Sequence, residues 1–251
     1  MSITSSPDKP KQTDQPPDEE SVQLGGMSLL DHFEELRDRL VKSFIAVLVC
    51  TFIVAAFTDQ IFKVLLMPYG EQVVVTSPTE NIAIYFRVAL TGGLVLTMPY
   101  LIYHLLMFIL PGLEAKEKRY VAWGVPAATF LFAVGVAFAW FIMIPTAIGF
   151  LKSWQPDIFR PLWQASEYIP FVTSLAFWIG VSFETPLIIF IMAKAGLVTP
   201  QFLLKQWRFA IVIISIVAAL ITPTVDPFNM ALVMLPLIVL YGLSILLAYL
   251  A

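Results

Sequence analysis

This sequence predicts an all-α membrane protein with six transmembrane helices and both termini in the cytoplasm. Three observations carry that expectation. Hydrophobic residues make up 59% of the chain and charged residues 13%, whereas a soluble domain carries about 25% charged residues. Six apolar segments are separated by polar or proline-bearing stretches. Lys and Arg then gather on one side of the alternating loops, as they do in cytoplasmic loops.

Residues 1–27 combine Pro10, Pro16 and Pro17 with Lys9, Lys11, Asp18, Glu19 and Glu20 and few large apolar side chains. That composition predicts a disordered cytoplasmic tail, and it lacks the apolar core of a secretory signal. Residues 28–251 make up the membrane domain. Ser28 with Asp31 fits a capping box. Leu29, Phe33, Leu36 and Leu40 then recur on one face of a helix whose other positions hold Asp31, Glu34, Glu35, Arg37, Asp38 and Arg39. Such an amphipathic helix lies at the membrane interface and runs on into the first span, about 41–57, with Lys42 reaching back to the interface.

Apolar length places the second span at about 88–110, with an earlier start at Ile82 as the alternative, and the third at about 120–144. The fourth is about 169–193, the fifth 209–221 and the sixth about 230–250. The fifth covers only about 20 Å at 1.5 Å per residue, against a hydrocarbon core of about 30 Å. A re-entrant segment is one reading; a short span that thins the local bilayer is preferred, because the loops then alternate sensibly. With the amino terminus inside, Lys9, Lys11, Arg37, Arg39, Lys42, Lys116, Lys118, Arg119, Lys194, Lys205 and Arg208 are cytoplasmic, eleven of the fifteen basic residues. Two long outside loops, 58–85 and 145–168, carry Pro68, Pro78, Pro145, Pro156 and Pro161 with Trp154 and Trp163, and are expected to form a structured cap. Gly124, Gly135, Ala127, Ala128, Ala133 and Ala137 would let the third span approach a neighbour closely.

Glu184 is the charge that demands an explanation. A carboxylate deep in hydrocarbon costs roughly 2.5–3.5 kcal/mol on insertion scales, so this one is expected to hold its proton and to meet a polar group within the membrane plane. A hydrogen bond to a neighbouring helix, with no further role, is the plainer alternative. Pro186, two residues on, can bend the helix and free a carbonyl. On the cytoplasmic side, Phe108, Pro111, Leu113 and Glu117 belong to a loop whose Lys116, Lys118 and Arg119 keep Glu117 ionised. An ionised carboxylate there can accept a guanidinium, and Glu34 and Glu35 lie on the same side. Asp226 suits a turn or a helix cap before the last span. His32 and His104 form no metal motif, Gly180-Val181-Ser182 is no nucleophile elbow, and no phosphate-binding loop is present. Cys50 is alone and reads as a small hydrophobe. The net charge of −3 gives no sign of nucleic-acid binding. No enzyme, metal or cofactor is therefore expected.

Several motifs in order resemble the TatC family, the polytopic core of the twin-arginine translocase. They are Ser28-Leu29-Leu30-Asp31-His32-Phe33-Glu34-Glu35-Leu36-Arg37-Asp38-Arg39-Leu40, Ser77-Pro78-Thr79-Glu80, Phe108-Ile109-Leu110-Pro111-Gly112-Leu113 followed by Glu117-Lys118-Arg119, Phe183-Glu184-Thr185-Pro186, and Thr222-Pro223 with Asp226. The resemblance covers 28–250. It implies binding of twin-arginine signal peptides and, with small single-span TatA- and TatB-like partners, transport of folded proteins on the proton-motive force. By the same resemblance, Glu35 and Glu117 help to hold the arginine pair, Arg37 stands near it, and Phe108, Pro111 and Leu113 belong to the recognition loop. Glu184, beside Pro186, faces a concave groove and meets a partner helix, and Asp226 lies in the last outside turn. A homo-oligomer within a larger lipid-embedded complex is implied, in a plasma membrane or a thylakoid one. The rival reading is a proton-coupled small-solute secondary transporter using Glu184; it requires inverted repeats, and none is visible in the sequence. A passive scaffold for small membrane proteins is a third reading, which would bind partner helices but ignore a signal peptide.

Overall fold

Helix α1, Leu29–Ala55, joins the amphipathic stretch and the first apolar segment without a break. The structure is a computed structural model and describes residues 29–109, 118–155, 157–158, 162–222 and 226–251. The expected tail and Ser28 of the capping box lie outside the described residues, as does the side chain of Asp31. So do Pro111, Leu113 and Glu117, expected from the resemblance to belong to a recognition loop, and Pro156, Pro161 and Pro223. After α1 come α2 (Thr58–Leu66), α3 (Glu80–Ile109) and α4 (Lys118–Phe138). A π turn, Ala139–Met143, leads into α5 (Ile144–Ser153). Then follow α6 (Ala165–Ser182), α7 (Thr185–Lys194), α8 (Pro200–Lys205), α9 (Trp207–Ile221) and α10 (Pro227–Leu250). Among the described residues the only extended pairing is an isolated parallel bridge, Val74 with Gln164.

Among the described residues, four helical stretches are long and apolar enough to cross a membrane: Glu80–Phe108, Trp123–Ser153, Ala165–Lys194 and Pro227–Leu250. The first crossing is α1, which turns by 77° into α2. No glycine or proline makes that turn. The Tyr85 hydroxyl donates to Ala55 O at 2.6 Å and the Thr58 hydroxyl to Val54 O at 3.2 Å, so carbonyls freed at the helix end are satisfied locally. The remaining crossing is α9, whose 15 residues span about 22 Å at 1.5 Å per residue. Six crossings result among the described residues, as the apolar lengths predict, and α9 falls short of the hydrocarbon core.

The third crossing is longer than expected. Residues 145–153, assigned from sequence to the second outside loop, are helical, and 165–168 already belong to α6. Pro145 reads as a stop because it has no N–H and would clash with the carbonyl four residues back. The π turn before it removes that conflict: the Ile144 N–H reaches back to Ala139 O, and Pro145 falls in the first turn of α5, where no N–H is needed. Likewise, Glu80–Tyr85 are the first turns of α3 rather than loop.

The cap expected from the two loops is present. Val74 donates its N–H to Trp163 O and accepts from Ala165 N–H, each at 2.9 Å. Tyr69 stacks on Trp163 with ring centroids 4.8 Å apart, and the Tyr168 hydroxyl donates to Leu65 O. Trp154, by contrast, is exposed. The larger core lies beneath this cap, where Met143, Ile144, Val172, Leu175, Ile179 and Val233 are buried. A second, smaller core joins α3, α4 and α7 through Leu106, Ala128, Phe132 and Ile191.

Small residues set two close approaches. On α4, Gly124, Ala128, Gly135 and Ala139 are buried, and Gly135 lies so near α6 that an added Cβ would sit 2.9 Å from Gly180 Cα. Ala127, Ala133 and Ala137 are exposed instead. Between α1 and α3 the close point is Gly93, where an added Cβ would sit 2.7 Å from Thr51 Cα. The helices run antiparallel, so this register brings Arg39 near one end of α1 beside His104 near the opposite end of α3.

Candidate functional site

At the end of the bundle remote from the cap, α1 presents acids and bases at helical spacing. Asp38 and Lys42 pair at 2.6 Å, and Glu34 and Arg37 at 3.4 Å. Both pairs are largely exposed, and such pairs contribute little. Glu35 and Arg39 differ: their side chains are only 25% and 18% exposed. Arg39 donates to Glu35 Oε1 through Nε at 2.9 Å and through Nη2. Its Nη1 lies 3.4 Å from His104 Nδ1. Arginine has no acceptor, so Nδ1 accepts and the His104 proton sits on Nε2. That Nε2 is buried without a hydrogen-bond partner among the described residues. Tyr100 and Tyr103 meet the imidazole edge-on, at 4.4 and 5.3 Å between centroids.

Of the residues singled out from sequence, Glu35 sits in this cluster. Arg37 is turned outward onto Glu34. Phe108, one turn beyond His104, is half-buried in the last turn of α3. Pro111, Leu113 and Glu117 follow in the stretch outside the described residues. Sequence reasoning did not single out Arg39 or His104. For Arg39 a signal existed, since it stands four residues after Glu35 on the same helix face.

Glu184 and Pro186 form a separate site. Helix α6 ends at Ser182 and α7 begins at Thr185, with Pro186 in its first turn. The missing N–H of Pro186 is harmless there, while Leu187 and Ile188 N–H both reach Glu184 O, at 3.1 and 3.0 Å. The Glu184 side chain is therefore held at a break inside the fourth crossing, and it is 4% exposed. Its carboxyl faces the Phe132 backbone of α4, and its Oε1 has no partner among the described residues.

Phe132 also lines an apolar groove of about 690 Å³ between α2, α3, α4, the π turn and α6, along with Val88, Val95, Val136, Trp140 and Phe177. Glu184 does not line it. Thr91, Thr129 and Thr173 do, and the hydroxyls of Thr129 and Thr173 donate to their own helices, to Val125 O and Ile169 O. The lining is otherwise mostly apolar and suits an apolar body.

Asp226 caps α10: its Oδ1 accepts from Asn229 N–H at 2.7 Å and its Oδ2 from Asn229 Nδ2 at 2.8 Å.

Residues 31–236 match the family model described as Sec-independent protein translocase protein (TatC). The TatC of Deinococcus radiodurans is 35% identical over 254 residues, covering 94% of this chain and 93% of that protein. The TatC of Helicobacter pylori strain 26695 is 36% identical over 220 residues, covering 88% and 87%. A crystal structure of a twin-arginine translocase receptor, TatC, superposes with a TM-score of 0.80 at 34% identity, covering 87% of this chain and 98% of that one. On its sequence, its six crossings and that superposition, this chain belongs to the TatC family of Sec-independent protein translocases.

Proposed function

We propose that this chain is the core receptor of a twin-arginine translocation system. It binds the signal peptides of folded cargo and, with TatA- and TatB-like single-span partners, carries that cargo across a plasma or thylakoid membrane on the proton-motive force. It is a transport subunit and not an enzyme. Both termini face the cytoplasm, following the excess of Lys and Arg in the loops of that side. Several such chains work together in one lipid-embedded complex.

The observation that carries this reading is the match in fold and sequence to a twin-arginine translocase receptor. The chemistry agrees with it. Glu35 offers a half-buried carboxylate at the charged end of the bundle, and Glu117 adds a second in the loop after Phe108. Two carboxylates suit two guanidinium groups. By the family resemblance Arg37, Phe108, Pro111 and Leu113 contribute to recognition of the same peptide. Glu184, at the break before Pro186, takes a polar group from a partner helix, and Asp226 shapes the last outside turn.

Photocrosslinking tests the reading. A probe at Glu117 is expected to label a twin-arginine signal peptide near its arginine pair, and to lose that labelling when the pair becomes Lys-Lys. Equal labelling of both peptides overturns the receptor role and favours a passive scaffold for partner helices.

A further inference from the structure

We infer that Arg39 is a specificity-determining residue, a resident guanidinium that occupies the Glu35 carboxylate and yields it to an incoming arginine but not to a lysine. This rests on the proposal that Glu35 receives a signal-peptide arginine. It adds a device by which the site tells the two cations apart.

The argument starts from burial. The Asp38–Lys42 pair is 59% and 55% exposed, so water satisfies its members when they part. Glu35 and Arg39 have less than half that exposure. A half-buried carboxylate stripped of its counter-charge is costly, and it then binds any cation offered. In the intact protein that demand is already met. Arg39 places two N–H donors on the single oxygen Oε1, and its third nitrogen rests on His104. All three guanidinium nitrogens are thus engaged by groups on two different helices.

An entering group must match that arrangement to displace it. A second guanidinium can, because it presents the same planar fork and is weakly hydrated. An ammonium is a compact, strongly hydrated point charge that would surrender more water and return fewer aligned bonds. His104 is a positioning residue here. By accepting from Nη1 it holds the fork in register with Glu35, and the close approach at Gly93 keeps α3 near enough for it to do so.

The test uses the full chain purified in detergent, with fluorescent signal peptides carrying Arg-Arg or Lys-Lys and binding read by anisotropy. Arg39→Gln is expected to raise Lys-Lys affinity and to lower the Arg-Arg to Lys-Lys preference on the order of tenfold, the worth of about one charge-assisted hydrogen bond. Arg39→Lys and His104→Phe should lower the preference by smaller amounts, and they decide the matter should Arg39→Gln not fold. Glu35→Gln is the control for the underlying site. If it weakens Arg-Arg binding while the Arg39 and His104 variants leave the preference unchanged, the selectivity device is overturned and the receptor reading stands. If Glu35→Gln leaves Arg-Arg binding intact, the arginine does not bind at Glu35, and both ideas fail there.

Discussion

Glu80, in the first turn of α3, accepts the backbone N–H of Ser166, in the first turn of α6, at 2.8 Å. The other oxygen of the same carboxylate accepts from the N–H groups of Thr76 and Ser77, at 2.7 and 3.1 Å, and from the Thr76 hydroxyl at 3.1 Å. One side chain thus satisfies orphan donors from both loops and joins the second crossing to the fourth. Glu80→Gln keeps the size but loses charge-assisted acceptance. We expect a lower melting temperature in detergent and faster proteolysis between 67 and 79, with Glu71→Gln, exposed at the cap rim, as the milder comparison. Equal melting of both variants would show that this tie does not hold the cap.

Gly93 should tolerate no side chain. Its missing Cβ would lie 2.7 Å from both Cα and N of Thr51, and backbone cannot rotate away as a side-chain tip can. Gly93→Ala is expected to cost about 1–3 kcal/mol, as overpacking does, and to separate Arg39 from His104. Thermal unfolding reads the first effect, and signal-peptide preference the second. Gly149 and Gly242, which face open space, are the controls.

Asp226 satisfies the first turn of α10 through Asn229. Asp226→Ala should destabilise by about 0.5–2 kcal/mol, the usual range for losing an N-cap, whereas Asp226→Asn should keep most of that stability. Comparing translocation by the two variants separates capping from any demand for negative charge. If both fail equally while folded, the charge matters for more than the helix.

Glu184 is buried beside the Phe132 backbone with one oxygen unpartnered among the described residues. We expect Glu184→Ala to leave signal-peptide affinity unchanged and to weaken co-purification of a single-span partner severalfold. Glu184→Gln, which can still donate and accept, should restore much of it. Undiminished partner recovery with alanine would assign Glu184 to internal packing alone.

The crossings were legible because apolar length is a local property, and so was Glu184, since a charge in an apolar run announces itself. Two kinds of feature were not. Pro145 was read as a stop, because proline chemistry is visible in sequence whereas the π turn that accommodates it is not. Contacts between distant segments were also hidden. His104 was considered only as a metal ligand and set aside, although its partner Arg39 stands 65 residues away across the α1–α3 contact. Glu80 appeared in a motif, but nothing in that motif points to Ser166. The family resemblance makes Glu35 an expected acceptor for a visitor, yet its standing partner Arg39 is hidden, since the pattern shows which residues share a helix face and not how deeply they are sunk.

The bond from Glu80 to Ser166 also dates the molecule's completion. A ribosome adds about 5–20 residues per second, so the 86 positions between them take roughly 4–17 s to emerge. For that interval Glu80 lacks the Ser166 N–H that it accepts in the finished fold, and the cap is tied from the first loop alone. Synthesis of this chain therefore includes a window in which the cap waits for the fourth crossing to close it.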